Sequence, residues 1–287
     1  MVLVGVKIAV AVLTWNRRHA LEAFLASLRH GHTTAIFEDG GYKDDTVPWL
    51  VGQAVEPLVP EPELDAYRGK LASGPEVFVG MSNLGVAGNT NRALWWFEST
   101  DCDYLMLCND DITATGDFGQ FYADGMQKLG TGLACFCGFE NEHYAYELTE
   151  CQGIKVKLLT RMTGSMMAIS RQLFDAIGYF DTRFGKFGEE HCHYTNRASL
   201  AGFQCLGGVD RYCIDLAGAP LTQSMEIEST LNGGEKAAAD RVATTAAAAV
   251  NFVADGLYCH FQLVKGAVVN GAGKAGTSLA TARKFSS

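Results

Sequence analysis

Five short apolar runs, each leading into a polar or acidic cluster, constrain this chain more than any other feature. Residues 6–13 (VKIAVAVL) form a nearly continuous β-branched and aliphatic stretch of strand length, the mark of a strand buried on both faces. Residues 35–37, 76–79, 104–107 and 133–137 read as four further strands. Apolar residues at helical spacing mark 19–28, 87–97 and 118–129 between them. Strands and helices alternating at this interval predict a mostly parallel sheet with helices on both faces. With 48% hydrophobic residues the chain can bury such a core.

The second half is less regular. Residues 152–159 and 161–169 read as strands, 171–177 as a short helix, and 192–201 as another helix ended by Gly202. Residues 235–255 form a long alanine-rich helical stretch, available for packing back or for self-association into a homo-oligomer. The expected organisation is one domain over 1–220, a helical extension over 221–265 and a flexible tail over 266–287. Within that domain a division is expected at about residue 115, between 1–115 and 116–220.

Charge and cysteine usage narrow the function. Thirty-two acidic against 23 basic residues leave a net charge of −9, which argues against holding nucleic acid through bulk phosphate attraction. Nine cysteines form an odd set with no Cys-x-x-Cys pair, so reduced core thiols are expected. No apolar run reaches the ~18–20 residues of a membrane helix, and no secretory signal stands at the start. The expected location is cytoplasmic.

In open α/β sheets ligands gather beyond the carboxyl ends of the strands. The polar clusters fall there: Asn16-Arg17 after the first strand, Glu38-Asp39-Gly40-Gly41 after the second, Asn109-Asp110-Asp111 after the fourth. Carboxylates at a strand end can hold a hard divalent cation that also grips a diphosphate, or can simply cap the strand in a turn. Residues 83–92 (NLGVAGNTNR) are a small, glycine-bearing loop running into a helix. They offer amides and a guanidinium to phosphate or sugar, or an ordinary helix cap. Glu190-His191 enters the helix that carries Arg197 and suits a general base acting on a hydroxyl. Acidic residues at a helix start are also structurally favoured. Zinc at His191, Cys192 and His193 fails on spacing, since residues one or two apart on a helix do not share a face.

Taken in order over about 200 residues, these stretches resemble the inverting family 2 glycosyltransferases of the GT-A fold. Val12-Leu13-Thr14-Trp15-Asn16-Arg17 is similar to the family's strand ending in Thr/Ser-x-Asn-Arg. Glu38-Asp39-Gly40-Gly41 resembles its nucleotide-base turn, and Asn83-Leu84-Gly85 with Asn89-Thr90-Asn91 its loop and helix. Leu107-Cys108-Asn109-Asp110-Asp111 resembles its Asp-x-Asp metal strand, with Asn109 replacing the first Asp. Residues 164–169 with 178–181 resemble its acceptor-side segment, and Glu190-His191 with Arg197 and Gly202 its catalytic helix. The family's catalytic Asp falls on His191, and a late metal-binding His falls on Asp215.

The resemblance implies a GT-A type, mostly parallel Rossmann-like sheet flanked by helices, with a nucleotide-binding half to about 115 and an acceptor half over 116–220, followed by the C-terminal helical extension. Donor binding would fall to Thr14, Asn16, Arg17, Glu38, Asp39, Asn83, Asn91, Arg92, Asn109 and Asp110. The acceptor side would use Gly164, Ser165, Asp181 and Arg197. The base is Glu190 or His191, and Asp111 with Asp215 would hold Mn2+ or Mg2+. The implied reaction is a single inverting displacement from a nucleotide sugar, a UDP-sugar by family habit, onto an acceptor hydroxyl of unread class. Two alternatives remain from the residues: a nucleotide-sugar or glycan-binding module with a decayed site, and a nucleotidyltransferase.

Overall fold

The computed structural model describes residues 5–138, 146–159, 165–184, 186, 190–203 and 213–223. The first part runs β1 (Ile8–Thr14), α1 (Arg18–Ser27), β2 (Thr33–Glu38), α2 (Thr46–Gln53), β3 (Val59–Glu61), β4 (Ala66–Lys70), β5 (Glu76–Gly80) and α3 (Gly85–Ser99). Then come β6 (Tyr104–Asn109), β7 (Ile112–Ala114), α4 (Phe118–Leu129), β8 (Leu133–Phe136), β9 (Tyr146–Cys151) and β10 (Ile154–Leu159). The last are β11 (Met166–Ser170), α5 (Arg171–Ile177), α6 (Glu190–Leu200), β12 (Cys213–Leu216) and β13 (Leu221–Gln223).

An eight-stranded sheet in the order β3-β4-β5-β2-β1-β6-β11-β8 forms the centre. β5, β2, β1 and β6 pair in parallel, while β4 and β11 run against their neighbours. β1 is central because its apolar run can be covered on both faces. Ile8, Val10 and Val12 face one layer with Leu21, Phe24 and Phe118. Ala9 and Ala11 face the other, where their small side chains leave room for Trp96 and Phe97 of α3. Each such buried aliphatic or aromatic side chain contributes roughly 1.5–3 kcal/mol relative to exposure.

From β1 the chain moves outward through β2 to β5, then returns to lay β6 on the other side of β1. Strand order therefore reverses between β1 and β6. In open α/β sheets ligands gather beyond the carboxyl ends of the strands at such a reversal point.

Several expectations shift in detail. α2 has no counterpart in the sequence reading, because Pro48 and Gly52 mask it; proline is tolerated in a first helical turn, where its missing N–H costs nothing. The stretch expected as a strand from 152 instead starts at Ile154. Gln152 and Gly153 take positive φ (51° and 76°) as the two-residue turn of a hairpin with β9. β12 joins that hairpin as a small antiparallel sheet. Leu221–Gln223 pairs antiparallel with β7, which begins directly after Asp111. The rest of the expected extension, the alanine-rich helix and the tail lie outside the described residues. Among the described residues, seven cysteines are free thiols and no helix is long and apolar enough to cross a membrane.

Candidate functional site

The reversal point between β1 and β6 carries a compact charged cluster. β6 ends at Asn109, whose amide donates to the Ser165 carbonyl, and the Asp110 amide donates to the Leu13 carbonyl. Those two backbone bonds place the Asp110 and Asp111 carboxylates beside the end of β1. The Thr14 hydroxyl donates to Asp110 Oδ2 at 2.6 Å. The Arg17 guanidinium bridges both acids, Nη2 facing Asp110 Oδ1 and Nη1 reaching Asp111 Oδ2 at 3.2 Å. Asp110 and Asp111 are 1% and 3% exposed. Asp110 Oδ1 and Asp111 Oδ1 are both buried with no hydrogen-bond partner, the former facing only the Arg17 charge. Burial pushes the Asp110 carboxyl up to about 7 and raises that of Asp111, with Arg17 opposing in both cases.

The turn after β2 adjoins this cluster through Asn16. That residue sits in the left-handed region (φ 53°), and its side-chain oxygen accepts from the Lys43 amide. Glu38 is fully buried and accepts from the Gly41 amide at 2.9 and 3.0 Å. Asp39 accepts from the amides of Leu84 and Gly85 and from Arg92. Burial lifts Glu38 to about 7 and Asp39 to about 6, against the hydrogen bonds that favour the anions. Gly40 is required here: at φ +64° an added Cβ would lie 2.5 Å from the Ser82 carbonyl carbon.

The sequence aims Arg92 and Asn91 at a donor, and the structure turns both inward. Arg92 has no exposure, and its donors go to Leu64 O, Asp39 Oδ1, Asp65 O and Ser82 O. Asn91 exchanges two hydrogen bonds with the backbone of Phe180. Both residues position loops rather than present polar atoms. Asn83 at the head of α3 differs, since its Oδ1 is buried without a partner. Gly85 (φ +76°) lies so close to Lys186 that a Cβ would sit 2.3 Å from its Cα, and the Val86 amide donates to the Lys186 carbonyl. Lys186 is thereby held against the start of α3.

Glu190 and His191 open α6 four residues beyond that contact. α6 begins two residues before the expected start, which puts the Glu190 carboxylate in the first turn, where the helix dipole favours it. Glu190 Oε1 lies 3.1 Å from His191 Nδ1, while Glu190 Oε2 is buried without a hydrogen-bond partner. The His191 ring packs edge-on against Phe180, the residue that Asn91 clasps.

The remaining acceptor-side and metal residues are engaged within the fold. Arg197 donates to the carbonyls of Tyr179 and Ile177, docking α6. Asp181 holds Arg183. Ser165 donates to Gln223, and Gly164 lies outside the described residues. Asp215 accepts from the Tyr122 hydroxyl at 2.7 Å and faces Lys157 Nζ at 3.7 Å. Those partners tie Asp215 to α4 and β10 rather than leaving it free as an ion ligand beside Asp111. Among the described residues no three His, Cys, Asp or Glu side chains are grouped to hold a metal.

Two contributors escape the sequence reading. Leu64, Asp65 and Ser82 cage Arg92, and the Lys186 backbone closes on Gly85. The carbonyls have no local sequence signal, because any residue supplies one; only the glycine at 85 hints at a close approach.

No family model matches the chain, and no curated protein matches it. Solved structures do. A mannosyltransferase, PcManGT from Pyrobaculum calidifontis in complex with GDP-Man and Mn2+, superposes at a TM-score of 0.51 and 13% identity, over 96% of this chain and 77% of that one. GalNAc-T7 with UDP, GalNAc and Mn2+ superposes at 0.56 and 11% identity, over 77% of this chain. The match spans only 44% of the GalNAc-T7 chain. TarS of S. aureus in complex with UDP superposes at 0.51 and 13% identity, over 92% of this chain and 71% of that one. At these identities the likeness is one of architecture: a Rossmann-like, mostly parallel sheet flanked by helices, of the GT-A type.

Proposed function

We propose that this chain is a metal-dependent, inverting family 2 glycosyltransferase that moves a sugar from a nucleotide donor to an acceptor hydroxyl. The observation that carries the reading is the acidic pair at the strand-order reversal, where Asp110 Oδ1 and Asp111 Oδ1 are both buried without a hydrogen bond and Asp111 Oδ1 has no ion-pair partner either. A buried anionic oxygen without a donor is costly, and a cation is the partner that removes the cost. Asp111, with Asp110 beside it, would hold Mn2+ or Mg2+; Asp215 is not carried into this set. The ion would supply Lewis-acid neutralisation of charge on the leaving diphosphate.

The chain's own residues do the rest. Glu38 and Asp39 hold the turn and the Asn83–Gly85 loop that frame the donor, and Arg92 and Asn91 lock that frame from behind. Thr14 and Asn16 fix the approach from β1, and Asn109 ends β6 at the same crevice. Glu190 Oε2 takes the acceptor's hydroxyl proton while His191 steadies Oε1. The acceptor oxygen bonds to the anomeric carbon as the opposite bond to the diphosphate oxygen breaks, inverting that centre. Residues to about 115 serve the donor and those from 116 the acceptor, through at least Gln223.

A thermal-shift screen of UDP- and GDP-sugars with and without MnCl2 tests this directly, since a tight ligand stabilises the folded state. Stabilisation by one nucleotide sugar that grows with Mn2+ is expected. A flat response to every nucleotide sugar, with and without Mn2+, would overturn the reading.

A further inference from the structure

We propose that Arg17 is a resident counter-cation of the Asp110–Asp111 pair, competing with the divalent ion and lowering the site's affinity for it. The inference rests on the reading of this crevice as a cation site and adds a residue that regulates its filling. Three of the four carboxylate oxygens are already engaged: Asp110 Oδ2 by Thr14, Asp110 Oδ1 and Asp111 Oδ2 by Arg17. Asp111 Oδ1 has no partner at all, and Asp110 Oδ1 meets Arg17 by charge alone, without a hydrogen bond. An ion entering there can complete its roughly six oxygen ligands with water and diphosphate oxygens, but chelating both acids takes an oxygen that now faces the guanidinium. At that oxygen ion and arginine compete.

The placement of Arg17 suits displacement. Its carbonyl accepts from the Leu21 amide at the head of α1, so the backbone is fixed. Its side chain keeps 18% exposure, whereas the Asp110 and Asp111 side chains keep 0% and 3%. The acids cannot move out to solvent, but the arginine can. Arg92, with 0% side-chain exposure and every donor nitrogen bonded, has no such freedom. A guanidinium also pairs well with phosphate, so an arriving diphosphate can offer Arg17 a replacement partner as the ion takes its place. Ion uptake and donor binding would then favour each other.

Titration calorimetry with MnCl2 alone, on wild type, Arg17→Ala and Arg17→Lys, tests the competition without relying on activity. Removing a full charge beside the buried pair is expected to tighten Mn2+ binding in Arg17→Ala by on the order of tenfold or more. Arg17→Lys, which keeps the charge but loses the fork, should fall between. Circular dichroism reports folding; if Arg17→Ala does not fold, Arg17→Lys decides, and affinity equal to wild type would refute the competition. Unchanged or weaker binding in a folded Arg17→Ala would also refute it. If no variant binds Mn2+ while nucleotide sugars still stabilise the protein, the competition fails and the glycosyltransferase reading survives. If nucleotide sugars have no effect either, the parent reading fails too.

Discussion

Two buried arginine–aspartate contacts lie at the carboxyl edge of the same sheet, and they serve opposite purposes. At Arg92–Asp39 both partners are saturated: Asp39 takes two backbone amides besides the guanidinium, and Arg92 caps three carbonyls. At Arg17 one guanidinium serves two acids, and an oxygen of Asp111 is left over. A buried pair whose oxygens and N–H groups all have hydrogen-bond partners is a fastener, because the fold already supplies those partners. An under-satisfied pair stores unfavourable free energy that a ligand can relieve. The residue types are the same; the count of partners separates scaffold from site.

Activity draws the widest contrast. Glu190→Gln should lower transfer by roughly 10²–10⁴-fold with nucleotide affinity kept, measured as kcat against donor Kd. If Glu190→Gln and His191→Ala both stay fully active, the base assignment is wrong. Asp111→Asn should cost on the order of 10²–10³-fold in turnover and abolish the Mn2+ dependence of donor binding. Its Tm should hold or rise, since it relieves an unpaired anion. A Tm collapse in Asp111→Asn would place that residue with the fasteners.

Arg92→Met should behave the other way, costing about 3–5 kcal/mol of stability in denaturant unfolding because it strands Asp39 in the interior. A stable, inactive Arg92→Met would undo the distinction between fastener and site. Gly85→Ala should lose roughly 1–2 kcal/mol from its left-handed backbone alone, plus the displacement of Lys186, and should weaken nucleotide binding as that loop shifts.

The smallest effect is a slope. Glu38 and Asp39 titrate at about 7 and about 6 in the folded protein, above the ~4 of unfolded carboxylates. A raised folded value means the folded state holds protons more tightly. The stability this contributes is present below pH ~4 and is lost as pH rises through 6 to 7. The loss is at most roughly 1.4 kcal/mol for each pH unit separating the folded and unfolded values. The ligand-free protein should therefore melt lower at pH 8 than at pH 5, and Glu38→Gln should flatten that slope. An unchanged slope in Glu38→Gln would show that the acid responsible lies elsewhere.

Much of the scaffold was legible because it is written locally. A strand buried on both faces must be a continuous apolar run, and residues 6–13 display one. The helices at 118–129 and 171–177 carry apolar spacing and their own caps, Asp117 and Ser170. Elements without such marks were missed: β3 and β4 form an edge meander whose pairing is with neighbours, and β13 is three residues recruited by β7. The polar clusters after β1, β2 and β6 were visible as candidates, but their roles were not. Only the fold shows that three carbonyls close around Arg92 and that the Tyr122 hydroxyl reaches Asp215.

The amino-acid sequence by itself determined where strands and helices form, that the central strands run parallel, and that acidic residues crowd their carboxyl ends. Tertiary structure alone decided which of those acids are saturated and which are not. The physical reason is distance along the chain. Asp39 finds Arg92 across 53 residues, Asp215 finds Tyr122 across 93, and Asp111 finds Arg17 across 94. Hydrogen-bond satisfaction is a property of partners brought together by the fold, and no local pattern encodes it.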